Sequence, residues 1–390
     1  ACGLEYAGGA TNPIEVVAAL RRITAGLLAL PDLTTASRER LERVQGILPE
    51  LPTGQRKGVR SLLPAQSFER EYNKWEPIEM YAAWPYRLVG IVNPDTLQLA
   101  RDSWETVPAD RARLCKQDYS WMANLANMAA LAWPAKAKER AVYKMANNAA
   151  PQARFPAFFG PGHDWLPDHN WGGAGMTGVQ EMLLAPEPGP HGKLNLFAGW
   201  PPEWDVDFRL HAPGQTVVEG VLRGGRLESL RITPETRAKD VINWLGKTPD
   251  YQPLPPPLSQ GKPATASSIH NEPGYDPARA FDGDIKTRWA SAFEARSGWL
   301  AVDLGDEQTI TSVWLSEIEW PETREFAIEY QVDGQWKELA RGTTIGAAKE
   351  ITFAPVKARY VRLNVFRAER PININEFQIF GPARHRPAGG

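Results

Sequence analysis

The spacing of apolar residues changes near residue 191, which divides the chain into a helical part and a β part. Before that point, apolar residues recur three or four positions apart, as in Leu20 and Ile23, which is typical of helices. After it they alternate with polar residues, as in 216–222, which is typical of strands. The Pro-rich stretch 253–261 predicts a stiff linker. A chain of 390 residues has room for two or three domains, so we expect a helical block, a small β domain, the linker and a β-sandwich.

Capping residues mark the starts of the predicted helices. Asn12 predicts an N-cap, Pro13 fits the first helical position and Glu15 fits the third. Asn93 and Pro94 predict a second start of the same kind. Further helices are predicted over 35–48, 110–132, 134–147 and 171–184.

Strands are predicted where the alternation is clear and a Gly-containing turn follows. In the small β domain they are 193–197, 208–211, 216–222 and 227–232. In the sandwich they are 300–304, 310–315, 326–331, 351–353, 360–366 and 377–380. The expected fold is multidomain α and β, with a helical domain at 1–190, a small β domain at 191–250, a Pro-rich linker at 251–261 and a β-sandwich at 262–382.

Composition narrows the class of partner. A net charge of −2 argues against nucleic acid or an anionic membrane, because neither would gain much electrostatically. No apolar run approaches the roughly 18 residues that a membrane span needs. Two cysteines make no disulfide framework, and we expect Cys115 to be a small buried residue rather than a nucleophile. The 15 tryptophans suit either a Trp-rich core or the stacking of sugar rings.

The most informative segment is 168–184, where Asp168 and Asn170 lie in a turn before a Gly-rich apolar helix. It resembles the signature near the end of the (α/α)6 catalytic barrel of family 95 glycoside hydrolases, the α-L-fucosidases and their relatives. Other landmarks of that family fall in the expected order at 75–86, 118–121, 194–201 and 205–214. The resemblance covers roughly residues 1–245 and implies a partial (α/α)6 barrel followed by a β domain.

The resemblance implies an inverting glycoside hydrolase, in which one carboxyl protonates the leaving oxygen and another activates water. Asp168 matches the water-activating residue, and Asn170 matches the amide of the same turn. His169 stands where the family usually has Gly, so the local backbone should differ. Glu5 is the candidate general acid, with Glu79 and Glu76 in reserve. No cofactor is expected for catalysis.

About half of such a barrel lies outside this sequence, including the family's catalytic Asn pair. We therefore expect the chain to be the C-terminal portion of a secreted or periplasmic enzyme, active when full length and inactive alone. The substrate implied by the resemblance is a glycan ending in fucose or a related deoxy or pentosyl sugar.

Structural readings of the same residues stay open. Asp168 could only cap the following helix, a common role for Asp. Glu76 and Glu79 could be solvated helix charges. His163 and His169, each beside an Asp, also permit a metal site. Trp165 and Trp171 could form a wall that stacks on a sugar ring, or these two tryptophans could pack in the core. The two histidines could bind sugar hydroxyls. We list the expected substrate-binding residues of this block as Glu79, His163, Trp165, His169 and Trp171.

The C-terminal motifs run in order through the sandwich, at 264–268, 280–291, 299–305, 358–363 and 374–381. They resemble the discoidin or coagulation factor 5/8 type C domain, a jelly-roll sandwich that includes family 32 carbohydrate-binding modules. Loops carry the sugar contacts in such modules, and Trp320, Arg324 and Arg367 are the candidates here, although each could equally be a rim or core residue.

The loop 282–287 combines hard oxygen ligands with a tight Gly turn, which suits Ca²⁺. In the discoidin-like family a structural Ca²⁺ lies there, closed by a Glu from the last strand. The matching residues are Asp282, Asp284, Thr287 and Glu376. An Asp-Gly turn without an ion is the alternative.

Two function classes follow. The first is the C-terminal portion of a glycoside hydrolase with an appended carbohydrate-binding module. The second is a non-catalytic carbohydrate-binding or adhesion protein, in which the helical block is a scaffold. Lyases and phosphorylases on similar helical barrels form a third class.

Overall fold

The computed structural model describes residues 9–69, 76–107, 122–146, 169–318 and 321–382. The predictions for Cys115 and for most of the helix at 110–132 concern residues outside these ranges. None of the described helices combines the length and the apolar character that crossing a membrane requires.

Six α-helices lie in the described part of the chain, and they agree with most of the predicted helices to within a turn. They are α1 (Ile14–Leu28), α2 (Thr35–Ile47), α3 (Leu97–Glu105), α4 (Asn124–Ala130), α5 (Pro134–Ala146) and α6 (His169–Leu183). The prediction that Asn12 caps the first helix was wrong. Pro13 is the N-cap and makes no side-chain cap, so Glu15 falls at the second helical position and is buried.

Helices α4, α5 and α6 pack on one another, and glycine sets the closeness of α6. A Cβ built on Gly178 would lie 2.5 Å from Cγ of Leu125 in α4, so only glycine allows this approach. A Cβ on Gly173, one and a half turns earlier, would meet nothing within 4 Å. The Gly-rich sequence of α6 thus serves helix packing at one of these two positions.

This difference gives a stability prediction. Gly178→Ala is expected to destabilise the protein by roughly 1–3 kcal/mol, because Leu125 must shift to admit a methyl group. Gly173→Ala is the matched control and should be neutral or stabilising by up to about 1 kcal/mol through helix propensity. Urea unfolding of both variants tests this, and equal midpoints would contradict the packing argument.

The helical block and the following strands share one hydrophobic core. Strands β5 (Leu184–Pro186), β6 (Leu194–Leu196) and β10 (Val241–Asn243) form one sheet, and β7 (Val206–Ala212), β8 (Thr216–Arg223) and β9 (Arg226–Thr233) form another. Val218 and Leu222 of β8 belong to the same buried cluster as Ala129 and Met182 of the helices. The small β domain is therefore packed into the helical block.

Four short strands near the N-terminus were not predicted from the sequence. Strand β1 (Ala10–Thr11) pairs with β4 (Ser67–Phe68), and β2 (Thr53–Arg56) pairs with β3 (Val59–Leu62). The turn of the β2–β3 hairpin is Lys57-Gly58, with φ of 45° and 75°, which is the geometry of a tight hairpin turn.

The C-terminal part is a β-sandwich, as predicted, built on two long strands that pair with each other on both sides of a register shift. The strands are β11 (Ala264–Ala266), β12 (Trp289–Ala290), β13 (Gly298–Ser316), β14 (Thr323–Val332), β15 (Gln335–Gly342), β16 (Lys349–Ala368), β17 (Asn373–Ile374) and β18 (Glu376–Phe380). The first half of β13 joins a sheet ordered β11-β13-β16-β14-β15, and its second half pairs with β18 and the first half of β16. Two pairs of separately predicted strands are thus single bent strands, β13 and β16.

The β2–β3 hairpin docks on one outer face of the sandwich. The Gln55 side-chain amide donates hydrogen bonds to Oγ1 of Thr311 at 3.1 Å and Oγ of Ser312 at 3.0 Å. The Lys57 amide N–H donates to Oε1 of Glu350 at 3.0 Å, and the Lys57 ammonium lies 4.6 Å from the centre of the Trp314 ring. Burial raises the pKa of Glu350 to about 7. The sandwich is therefore attached to the helical block by specific contacts in addition to the linker.

Candidate functional site

A cavity of about 170 Å³ lies in the helical block between α4 and the 3₁₀ helix Ile78–Ala82. Its wall combines a carboxylate, two amides and aromatic rings, which are groups that bind sugar hydroxyls and sugar faces. The lining residues are Glu76, Pro77, Tyr81, Trp84, Pro85, Met122, Ala123, Asn124 and Asn127.

Buried acidic groups surround Tyr81 at this cavity. The Tyr81 hydroxyl hydrogen-bonds to Glu76, and burial together with the negative charge of Glu76 raises the pKa of Tyr81. Glu15 also acts on Tyr81 electrostatically, and burial raises the pKa of Glu15 itself. Neither carboxylate oxygen of Glu15 accepts a hydrogen bond from another described residue. Glu15 is thus a buried acid that interacts with Tyr81, and it is not among the residues that line the cavity.

The amide of Asn127 adds a second kind of polar group to the cavity wall. Its Oδ1 is buried and accepts no hydrogen bond from the described residues. Asn124 stands three residues earlier on the same face of α4. Sequence reasoning missed both, although an Asn-x-x-Asn pair in an otherwise apolar helix was a usable signal.

The two reserve acids are placed differently. Glu76 lines the cavity. Glu79 is fully buried and forms an ion pair with Arg56 of β2 at 2.9 Å, and it is not among the lining residues. Of the two, Glu76 is the acid that a ligand in this cavity would meet.

Most of the predicted catalytic constellation lies outside the described residues, namely Glu5, His163, Trp165 and Asp168. His169 is the first residue of α6, and Asn170 is exposed in its first turn. No group of three or more His, Cys, Asp or Glu suited to a metal occurs in the described ranges.

Trp171 lies inside the protein. It has no exposed surface, its indole N–H donates to the Lys144 carbonyl at 2.7 Å, and the Lys144 ammonium lies 4.2 Å from the ring centre. A ring in this position offers no face to a sugar, so the sugar-stacking prediction gives way here to the packing alternative.

In the sandwich, three segments meet at one end, which we call the loop end: 291–297, Glu322 just before β14, and 369–372. Arg324 lies there and donates to both carboxylate oxygens of Glu369, at 2.8 and 2.7 Å. Arg367 is exposed near the end of β16, and Trp320 lies outside the described residues. Phe293, which sequence reasoning missed, is 64% exposed at the same end.

The predicted calcium residues form a cluster of oxygen atoms. The Thr287 hydroxyl donates to Oδ2 of Asp282 at 2.8 Å, and Oε1 of Glu376 accepts from the Gly283 N–H at 2.8 Å. The carboxylate of Asp284 accepts from the Lys286 N–H, and the main-chain carbonyl of Asp284 lies 3.0 Å from the Thr287 hydroxyl.

Glu376 and Asp282 hydrogen-bond to each other although both are acidic. Burial, with the negative charge of Asp282, raises the pKa of Glu376 to about 8. Two carboxyl groups this close are stable only when one is protonated or a cation lies between them.

Comparison with known proteins identifies the sandwich. Residues 263–377 match the F5/8 type C domain family, so the chain contains an F5/8 type C domain. "Putative alpha-L-fucosidase 1" of Oryza sativa subsp. japonica is 28% identical over 122 residues, which is 30% of this chain and 23% of the rice protein. The chain thus matches about a quarter of the length of that relative.

Two solved structures are each similar to about a third of this chain. Chitosan-binding module 2 of a Paenibacillus sp. IK-5 chitosanase/glucanase, solved with chitotriose, is 30% identical and covers 32% of this chain and 99% of its own, with a TM-score of 0.30. A protein of Bacteroides thetaiotaomicron described as a "putative alpha-L-fucosidase" is 22% identical and covers 33% of this chain and 29% of its own, with a TM-score of 0.31.

Proposed function

We propose that the chain is the C-terminal portion of an inverting glycoside hydrolase, and that its F5/8 type C domain binds glycan. The observation that carries the proposal is the cavity lined by Glu76 and Asn127, in a helical block on which an F5/8 type C domain is docked. The names of the rice and Bacteroides proteins support a fucosidase-like activity, and chitotriose in the Paenibacillus module supports oligosaccharide binding.

The surface of α1 supports a larger barrel. Leu20, Ile23 and Leu27 lie on one side of this helix, and each exposes more than a third of its surface. Such an apolar stripe fits a helix against which further helices pack. We propose that the rest of an (α/α)6 barrel covers it in the full-length protein.

The proposed reaction needs one ionised and one protonated carboxyl group. Asp168 is the proposed base that takes a proton from water, and Asn170 helps to place that water. Glu5 is the proposed acid, and Glu76 is the alternative because it lines the cavity. Water attacks the anomeric carbon as the bond to the leaving oxygen breaks, which inverts the configuration.

We also propose that Ca²⁺ binds at the cluster of Asp282, Thr287 and Glu376, with the carbonyl of Asp284. The fit rests on the donor set, because two carboxyls, a hydroxyl and a carbonyl are the hard oxygen ligands that Ca²⁺ prefers. The ion would fasten the 282–287 loop to β18 and would take no part in the reaction. The proposed location of the protein is secreted or periplasmic.

The test is turnover by the full-length protein on an aryl α-L-fucoside and related aryl glycosides. The expected result is hydrolysis in which the released sugar has the inverted anomeric configuration, as measured by NMR. Turnover that requires inorganic phosphate would instead identify a phosphorylase, and an unsaturated product would identify a lyase. Glycan binding without turnover would support the non-catalytic alternative, which the packing roles of Glu79 and Trp171 favour.

A further inference from the structure

The two outer faces of the sandwich differ in what covers them. The face around Ser312 and Trp314 is covered by the β2–β3 hairpin. The opposite face, formed by β11, the first half of β13, the second half of β16, β14 and β15, is called the open face here. It contains a depression of about 460 Å³, and among the described residues only those of the sandwich line it.

Strand register brings three aromatic rings to the open face. Leu300, Val302 and Leu304 of β13 belong to the core, so the alternate residues Trp299 and Asp303 face outward. Across the sheet, Tyr360 of β16 pairs with Asp303, and Trp336 of β15 pairs with Gln331 of β14. Trp299, Tyr360 and Trp336 all line the depression.

These rings are suited to contact with sugar. Each is partly exposed, and each is fixed in a strand, so little conformational freedom is lost on binding. The Arg362 guanidinium lies 4.3 Å from the centre of the Trp336 ring, which holds that indole in place. Ala301, between Trp299 and Asp303, leaves room above the sheet.

Both charged residues of the depression are neutralised by partners. Arg362 pairs with Glu329 at 2.5 Å. Asp303 accepts hydrogen bonds from Arg359 at 2.8 and 2.9 Å, and these bonds lower the pKa of Asp303 to about 2. A face with paired charges, amides and flat rings matches a ligand that is polar but uncharged.

The distance between the aromatic residues of the open face indicates a ligand of several sugar units. Trp299 and Trp336 lie on strands separated by three steps across the sheet, roughly 14 Å, and the register sets them four residues apart along the strands, roughly 13 Å. The two residues are therefore roughly 19 Å apart. This distance exceeds a single pyranose ring. The ligand that reaches both rings is therefore an extended saccharide.

We propose that the open face binds an uncharged, extended glycan chain through Trp299, Tyr360 and Trp336, as a second site distinct from the loop end. The proposal rests on glycan binding by the domain. It adds that polysaccharide length matters, because the open face contacts several consecutive sugars and the loops contact few.

The experiment measures binding of the whole chain by affinity electrophoresis and calorimetry. The probes are the neutral polysaccharide xyloglucan, the anionic polygalacturonate, and chitotriose as a short oligosaccharide. The variants are Trp299→Ala, Trp336→Ala and their double, with Trp299→Phe as a conservative partner and Phe293→Ala as the loop-end control. Unfolding midpoints show whether each variant is folded.

Each tryptophan variant is expected to weaken xyloglucan binding roughly tenfold. Trp299→Phe should retain most of the affinity, and polygalacturonate should bind weakly throughout. Xyloglucan affinity that is unchanged in the folded double variant would overturn the open-face site. If Phe293→Ala lowers the affinity for xyloglucan or chitotriose in that case, glycan binding by the domain would stand. A wild-type chain that binds none of the probes would overturn both proposals.

Discussion

Asp168→Asn in the full-length protein is expected to lower kcat by roughly 10²–10⁴-fold, the usual contribution of a general base. The amide has nearly the shape of the carboxylate but cannot take a proton from water. Because the change acts on the chemical step, KM should change much less than kcat. Initial rates on an aryl glycoside test this, together with an unfolding midpoint that confirms the fold.

Asp95→Asn is the matched control, because Asp95 is an exposed aspartate of the same helical block. It should leave kcat unchanged. If Asp168→Asn retains wild-type kcat, Asp168 is a helix cap and the base must be sought elsewhere. If its midpoint falls in parallel with kcat, the loss is structural.

The second large effect concerns pH and calcium. The folded-state pKa of Glu376 is about 8, raised from its ordinary value of 4.5 mainly by burial. Between these pH values the folded protein holds a proton that the unfolded chain has released, so stability falls as pH rises. Glu317 and Glu350, each with a pKa of about 7, act in the same direction. With a chelator present, we expect the sandwich to lose a few kcal/mol between pH 5 and pH 8.

Calcium should reverse part of this loss. Ca²⁺ requires ionised carboxylates, so its stabilising effect should grow with pH and reach about 2.7 kcal/mol at one hundred times its Kd. Glu376→Gln should remove the calcium effect and reduce the pH dependence to the part that Glu317 and Glu350 contribute. Glu338→Gln, at an exposed carboxylate, should preserve both. Thermal unfolding at pH 5 and pH 8, with chelator or Ca²⁺, measures these changes. A calcium effect that persists in Glu376→Gln would count against the site.

Local patterns predicted the elements whose stability is local. Helix α2 was predicted because Leu41, Val44 and Leu48 recur at helical spacing. In the structure Thr34 caps it. Strands β7 to β9 were found because polar and apolar residues alternate between tight turns. The β2–β3 hairpin was missed because its charged and amide side chains find partners far away in sequence. Gln55 bonds to Ser312, 257 positions later, and no local pattern reports such a contact.

The candidate sites likewise contain features that local sequence patterns could not predict. The pairing of Asp282 with Glu376 was expected only through resemblance to the discoidin-like family, because 94 positions separate them. For Trp171, composition left stacking and packing equally open. The carbonyl of Lys144 satisfies its indole N–H inside the protein, and this partner could not be read from spacing. Glu15 was predicted to belong to the helix cap. Because α1 begins at Ile14, Glu15 is instead a buried acid with a raised pKa.

The hairpin contact has a consequence for how a bound polymer meets the rest of the molecule. A sandwich joined only by a free linker would move through a volume set by the length of that linker. Its effective concentration near the helical block would fall as the linker became longer. Here Gln55 and Lys57 hold the sandwich against the helical block, so the open face keeps one fixed direction relative to that block. Lengthening the linker should then leave the position of the sandwich on the helical block unchanged unless these contacts are broken as well.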